Sequence, residues 1–386
     1  MTGLLSYVEH LECPECHRRF PIDSLTSLCV CGSPLFVIYD IDAVVESVAR
    51  GEFPTNVSSM WRYSHLMPVK SASNVVSLGE GWTPLLLSRR LGNHVGLQTL
   101  MIKDEVQNPT GSFKDRGLCV AVSKHIELGI RSFALPSAGN AAISLSAYCA
   151  AAGVIAHVYM PDDTPENFFR ACETYGANTN RVAGTISDCG KQMRNRGGEW
   201  KDLSTTREPY RVEGKKTIAF EVSEQLHWKP PDAIVCPTGG GTAIVGIWKG
   251  MDELEALGLI GAERPRLYAA QSASCAPVVH ALEKKLDTVE PWPDPKTTAL
   301  GLRVPSPFAG RLILRAIRST GGTAIAVPER EIAEAQKLGS KMEGIDMGPE
   351  AAVGLAGIRS LTESGEIGHD EQVVLLNTGT ATRYWC

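Results

Sequence analysis

From about residue 130 the chain repeats one local pattern: a short apolar run, a turn rich in small polar residues, and a helical stretch. "SFALP" leads through "SAGN" into "AAISLSAYCAAAG", "VIAHVYMP" into "ENFFRACETYG", and "NTNRVAG" into "SDCGKQMRNR". A second series begins at "PDAIVCPTGGGTAIVGIWKGMDELEALG" and continues through "RLYAAQS" and "GGTAIAVPERE" to a late apolar run, "EQVVLLNTG". Parallel strands need a crossover connection, so this order predicts βαβ units on parallel sheets. The expected fold class is α/β, with two open, mostly parallel α/β/α lobes. The larger takes residues 39–120 and 206–386, the smaller is inserted over 121–205, and residues 1–38 form an N-terminal extension. Open parallel sheets bind ligands beyond the carboxyl ends of their strands, so the turns that follow strands are where chemistry is expected.

Composition narrows the setting. A chain of 386 residues, 43% hydrophobic, can bury a large core, and its length suggests roughly two or three domains. A net charge of -5 offers no basic surface to nucleic acid, and the tryptophans, scattered from Trp61 to Trp385, form no stacking series. No segment approaches the ~20 apolar residues of a membrane span. "MTGLLSYVEHLECPEC" lacks the basic start, long apolar run and cleavage site of a secretory signal, so a cytoplasmic location is expected. In that compartment eleven cysteines point to reduced thiols or a metal site. Cys119, Cys149, Cys236 and Cys275 lie in apolar surroundings and read as small packing residues.

Four other cysteines cluster in "CPECHRRFPIDSLTSLCVCG", as a C-x2-C pair at Cys13 and Cys16 and a C-x-C pair at Cys29 and Cys31. Two such knuckles can aim four sulfurs at one tetrahedral zinc ion, with His17 as a substitute ligand, making residues 1–38 a zinc-ribbon-like extension; the alternative is unligated cysteines in a partly degenerate ribbon. Four protein ligands leave no open position, so this zinc would be structural.

Three turns after strands can hold ligand groups. "PTGGGT", Pro237 to Thr242, lies between a strand and a helix start, where glycines let backbone N–H groups wrap an anion at the positive helix end. It has neither the Gly-Lys-Ser/Thr of a P-loop nor the dinucleotide spacing. "PSAGNAAIS" presents Ser137, Gly139 and Asn140, a turn suited to a carboxylate, with the Asn140 amide free to meet a ring hydroxyl; taken singly it is equally a capped helix start. "LLNTGTATRY" places Thr378 after the last strand. Between an aromatic and an aspartate in "EVQNPTGSFKDRG" stands Lys114. A neutral lysine near an anion cradle and a carboxylate-gripping turn is what Schiff-base chemistry with an aldehyde cofactor requires.

The segments "GEGWTPL" (79–85), "NPTGSFKDRG" (108–117), "PSAGNAAISLSAYCAAAG" (136–153), "EGKKTIAFEVSEQ" (213–225) and "PTGGGT" (237–242) together resemble threonine synthase. More broadly they resemble the pyridoxal-phosphate enzymes of the tryptophan synthase β fold, also called fold type II. The resemblance implies that Lys114 binds the cofactor aldehyde and then shuttles protons. It also implies that Phe113 and Asn140 lie beside the ring and its O3', that Gly239, Gly240, Gly241 and Thr242 hold the cofactor phosphate, and that Thr378 faces the pyridine nitrogen. A threonine there, unlike an aspartate, does not strongly stabilise a pyridinium, which favours elimination and replacement over transamination. A homodimer is implied as well.

For the substrate, a small amino acid, the resemblance implies a loop at Ser137, Ala138 and Gly139, with Thr206, Arg211 and Arg383 toward an acidic distal or leaving group. Threonine synthases typically carry Asn-Ser-x-Asn-Pro-Tyr/His-Arg before the "EG" motif. Here the segment is "TTREPYR": Arg211 and a hydroxyl at Thr206 remain, while Thr205 and Glu208 replace the asparagines. Glu208 would repel a phosphate unless Arg207, Lys215 or Lys216 neutralises it. At the end of the chain "TGTATRY" puts Arg383 where the family often has lysine. The leading expectation is elimination of phosphate from O-phosphohomoserine and addition of water at Cβ. A sister β-elimination on serine or threonine, or a cysteate synthase-like β-replacement, comes next; a catalytically idle binding protein is the remaining alternative.

Overall fold

The structure is a computed structural model that describes residues 6–48, 53–54, 56–137 and 139–384. Near the N-terminus β1 (Val8–Glu12), β2 (Arg19–Pro21) and β3 (Phe36–Tyr39) form a small antiparallel sheet with β1 in the centre. The cysteines lie in the turns between these strands, and α1 (Ile41–Ser47) follows, capped by the Asp40 carboxylate. So short an extension has little core of its own. It leans on the rest of the chain, and the buried Tyr39 hydroxyl donates to Glu213 at 2.7 Å.

Two further sheets carry the fold. In chain order come β4 (Leu85–Leu87), α2 (Arg89–His94), β5 (Thr99–Asp104) and α3 (Lys114–Glu127). Next are β6 (Ser132–Pro136), α4 (Asn140–Ala152), β7 (Ile155–Pro161), α5 (Glu166–Thr174), β8 (Asn178–Val182), α6 (Ile186–Arg196) and β9 (Lys201–Asp202). Then follow α7 (Tyr210–Gln225), β10 (Ala233–Pro237), α8 (Thr242–Ala256), β11 (Arg266–Ser272), α9 (Pro277–Glu283) and α10 (Gly310–Ser319). The chain closes with β12 (Ala324–Val327), α11 (Glu329–Glu343), α12 (Pro349–Glu363) and β13 (Gln372–Asn377).

The larger sheet has strand order β12-β11-β10-β13-β5-β4 and is parallel except for the edge strand β4. The smaller runs β8-β7-β6-β9 and is wholly parallel. Strands such as β10, with all five residues buried, are covered on both faces, as parallel sheets require. This is the mostly parallel two-lobed α/β architecture expected from the strand–turn–helix repeats. The carboxyl ends of β6, β10 and β13 and the segment after β5 converge on one cleft.

Behind that cleft lies a dry ionic cluster. Arg116, on the first turn of α3, donates to Glu105 (2.6 and 2.7 Å) and to Glu221 (2.6 and 2.7 Å), and Lys103 reaches Glu221 at 2.8 Å. All four residues are fully buried. Glu221 also accepts from the N–H of Trp82, so the "GEGWTPL" segment, β5, α3 and α7 meet at one guanidinium. Burial alone would disfavour every one of these charges; mutual pairing holds Glu221 down to about 2 and keeps Arg116 charged.

Candidate active site

The turn "NPTGSF" is held so that the chain enters α3 at Lys114. The Asp115 side chain accepts from the backbone N–H of Thr110 (2.7 Å) and from its hydroxyl. Phe113 N–H donates to the Thr378 carbonyl (3.0 Å), Ser112 bridges to Gly379, and Thr380 N–H donates to Gly111 (3.0 Å). Lys114 and Thr378, far apart in sequence, are thereby stitched side by side.

Lys114 lines a cleft with the ends of β6, β10 and β13. Burial pushes its amine down to about 8, helped by the nearby Arg211 guanidinium and opposed by the Glu350 carboxylate. A substantial fraction of neutral amine is therefore present near neutral pH, which an exposed lysine lacks. The Phe113 ring lies between two lysines, with Lys114 Nζ 4.4 Å and the buried Lys215 Nζ 3.9 Å from its centroid. Lys215 also donates to the Phe113 carbonyl, and burial together with Lys114 drives its pKa well below the usual lysine value.

Opposite stands the glycine turn. Gly239, Gly240, Gly241 and Thr242 all line the cleft, and α8 begins at Thr242. Gly241 has φ of 77°, which disfavours any other residue, and a Cβ there would lie 2.1 Å from Ile313 Cδ1, so the Ile313 side chain would have to move. At Gly239 a Cβ would sit 2.6 Å from the Gly301 carbonyl. Backbone alone forms this wall, next to a helix N-terminus, as an anion cradle demands.

The third turn follows β6. Ser137 Oγ accepts from Gly139 N–H and Ala142 N–H (both 3.1 Å), capping α4 and leaving Asn140 and Ala141 at the first turn against the cleft. Gly139 (φ 144°) packs against Phe168, where a Cβ would be 2.8 Å from the ring. Ala138 lies outside the described residues. Phe113, Lys114, Ser137, Gly139, Asn140, Arg211 and Thr378 all border the cleft with the glycine turn.

Two expected residues stand behind that wall. Arg383 donates to Asn140 Oδ1 at 3.3 Å, orienting the amide. Thr206 is buried, its hydroxyl without a partner among the described residues. Arg211 is different: its Nη1 donates to the Leu203 carbonyl (2.8 Å), its buried Nε has no partner, and no carboxylate pairs with it among the described residues.

The expected neutralisation of Glu208 takes another form. Its buried carboxylate accepts from the N–H groups of Tyr210 (3.0 Å) and Arg211 (2.5 Å), so it caps α7. Burial raises its pKa to about 7, opposed mainly by Arg211. Arg207 instead stacks on Phe308 at 4.0 Å, Lys216 pairs with Glu213 and Glu253, and Lys215 lies at Phe113. A residue that read as a liability for anion binding is a helix cap.

Glu350 escaped the sequence reading. Its Oε1 accepts from Gly301 N–H (2.8 Å) and the Tyr384 hydroxyl (2.6 Å), and its Oε2 is buried in the cleft wall without a partner among the described residues. The available signal was "GPE" at 348–350, a proline-led helix start with an acid in the first turn.

At the N-terminus the sulfurs of Cys13, Cys16, Cys29 and Cys31 all lie within 4.8 Å of one another. Cys13–Cys31 is 3.5 Å and Cys16–Cys29 is 3.4 Å, too long for disulfides and suited to a shared ion. His17 turns to Glu12 (3.3 Å) instead.

Residues 76–379 match the family described as pyridoxal-phosphate dependent enzyme. The chain is 37% identical over 369 residues to threonine synthase of Methanocaldococcus jannaschii, covering 95% of this chain and 91% of that protein. To threonine synthase of Methanosarcina acetivorans it is 36% identical over 373 residues, covering 96% and 91%. Among solved structures, maize serine racemase superposes with a TM-score of 0.67 at 21% identity, over 78% of this chain and 88% of that one. Diaminopropionate ammonia lyase from Escherichia coli gives 0.68 at 18%, over 80% and 89%. These structural likenesses show the fold.

Proposed function

Because the chain belongs to the pyridoxal-phosphate dependent enzyme family and is a threonine-synthase-like lyase, we propose that it converts O-phosphohomoserine and water to threonine and phosphate. The residues fit the cofactor: a glycine turn packed too closely on Gly301, Thr205 and Ile313 to carry side chains without a shift, at a helix N-terminus, a lysine whose amine is part neutral, and an asparagine amide fixed beside them. Gly239 to Thr242 would hold the cofactor phosphate, and Phe113, Asn140 and Thr378 would hold its ring. When bound, the cofactor supplies an electron sink for negative charge at the substrate Cα.

The chain's own groups do the rest. Lys114 Nζ takes the proton from Cα and returns protons later, a task suited to an amine with a pKa near 8. Ser137, Ala138, Gly139 and the α4 N-terminus hold the substrate carboxylate, and Arg211, with Thr206 and Arg383 in support, holds the distal phosphate. One observation carries the substrate assignment: Arg211 is a buried guanidinium in the cleft wall whose Nε has no partner and which makes no ion pair among the described residues, Glu208 and Asp202 acting on it only from a distance. An unpaired buried cation is costly unless an anion completes it.

Cys13, Cys16, Cys29 and Cys31 hold a structural zinc ion, a reading supported by the four converging sulfurs. Residues 39–120 with 206–386 form the cofactor-holding unit and 121–205 a smaller one that closes over the substrate. The enzyme is cytoplasmic, in keeping with ten free cysteines among the described residues. It works as a homodimer; Leu86 and Leu87, exposed on edge strand β4, support contact with a second copy.

Thr205 and Glu208, which depart from the family pattern, favour the second reading, a sister β-elimination or β-replacement. Cofactor-loaded protein is to be given O-phosphohomoserine, O-phosphoserine with sulfite, serine and threonine in parallel, following phosphate, keto acid and new amino acids. Threonine and phosphate in equal amounts from the first substrate are expected. Turnover of any other substrate with none of O-phosphohomoserine would transfer the assignment to the sister reaction.

A further inference from the structure

The cysteine knuckle is built into the wall behind the phosphate cradle. Pro14 and Glu15, the two residues between Cys13 and Cys16, are both gripped by Arg315 of α10: its Nη1 donates to the Pro14 carbonyl (3.0 Å) and its Nη2 to the Glu15 carboxylate (2.7 Å). Two residues earlier on α10, and so on its other side, Ile313 fills the space that a Cβ of Gly241 would occupy. A second route runs beside it. The groove between the knuckle and α10 is lined by Cys16, Cys31 and Phe308; Phe308 carries the Arg207 guanidinium at 4.0 Å, and the methyl of nearby Thr205 lies 3.2 Å from where a Gly240 Cβ would stand. Both routes end on the glycines that form the anion cradle.

We propose that the four-cysteine site and the cofactor cradle are energetically coupled through α10, so that zinc in the knuckle tightens pyridoxal phosphate binding and the cofactor tightens zinc. This rests on the functional reading above and adds to it a metal-dependent control of cofactor retention.

The physical reason is that the knuckle has two states and α10 senses which is present. Without an ion, four thiolates or thiols on short loops have no common centre, and an extension with three short strands has little apolar core to hold it. With an ion, the Cys13–Cys16 loop is fixed, and the Pro14 and Glu15 acceptors are presented to Arg315 at one spacing. The charge-assisted pair then fixes α10, whose inner face, including Leu312 and Ile317, is buried. Fixing α10 fixes Ile313 against Gly241, which orders the donors of the cradle before the phosphate arrives. Coupling of this kind is reciprocal: each ligand must tighten the other by the same factor.

The test uses the whole chain. Pyridoxal phosphate affinity is titrated by visible absorbance with the protein zinc-loaded and after chelation, and zinc affinity is titrated by competition with a chromogenic chelator, with and without the cofactor. Zinc removal is expected to weaken cofactor binding by about 10-fold, and cofactor removal to weaken zinc binding by the same factor. Arg315→Ala keeps all four sulfurs and every cradle residue, and is expected to lower both ratios by the same factor, what remains being carried by the Phe308–Arg207 route; unchanged ratios in this variant would remove α10 from the coupling, and the variant carries the test should chelation unfold the chain. Zinc and cofactor that both bind, each indifferent to the other, overturn the proposal. So does a chain that binds cofactor but gives no thiolate-to-cobalt absorbance when offered Co²⁺, an outcome that leaves the catalytic reading intact. Metal binding without any visible cofactor band would instead remove the functional reading on which the coupling rests.

Discussion

At Lys114 the deciding quantity is the cost of keeping an ammonium in the cleft. Burial and Arg211 lower its pKa to about 8, and Glu350 recovers only part of that. Cofactor-free protein is therefore expected to take up pyridoxal phosphate at a rate that rises through about pH 8, followed by stopped-flow absorbance; a profile with its midpoint near the ordinary lysine value would mean the amine is solvated. Arg211→Ala should lower kcat/KM for the phosphorylated substrate by about 10- to 100-fold, the worth of a charge-assisted hydrogen bond, while leaving the cofactor band unchanged. Glu208 has the opposite sign of shift. Its folded-state pKa of about 7 exceeds the usual 4.5, so the folded protein binds an extra proton between those values. The stabilisation is complete below about pH 4.5 and lost as pH rises through 7. Glu208→Gln keeps a cap acceptor without the titration, so its melting temperature relative to the parent should improve from pH 5 to pH 8, measured by calorimetry.

Among the elements, legibility followed how self-contained each signal was. The helices α4 and α8 could be read because a strand, a glycine turn and a long apolar stretch occur together in "PSAGNAAISLSAYCAAAG" and "PTGGGTAIVGIW". Strand β5, "TLMIKD", lies outside the strand–turn–helix repeats and ends in two charged residues, so nothing local marks it as a buried strand; only the fold shows Lys103 paired with Glu221, on a helix far along the chain. For the same reason nothing local in "KDRG" reveals that Arg116 ties β5, α3 and α7 together. Arg116→Leu would leave Glu105 buried without its cation and Glu221 with Lys103 alone, and should cost about 3–5 kcal/mol in denaturant unfolding. A loss near zero would show that water reaches the cluster. Glu350 and the cap at Glu208 were illegible in the same way, since each gets its role from partners that only the folded chain supplies.

Over the whole molecule, the two parallel sheets place their carboxyl ends on one cleft, and a bidentate pair spans it: Arg303, beside the Gly301 segment, meets Asp163, just after β7, at 2.6 and 2.7 Å. The antiparallel extension stands behind α10, and the strand repeats that first indicated an α/β chain set the larger plan. The proposed covalent anchor in that cleft is Lys114 rather than the second buried lysine at Phe113, Lys215. The most direct measurement is borohydride reduction of the cofactor-loaded protein followed by proteolysis and mass spectrometry. One reduced pyridoxyl phosphate adduct per chain on the Lys114 peptide is expected, together with loss of the visible band and none of either in Lys114→Ala. An adduct on Lys215, or a chain that carries no adduct at all, would contradict the account.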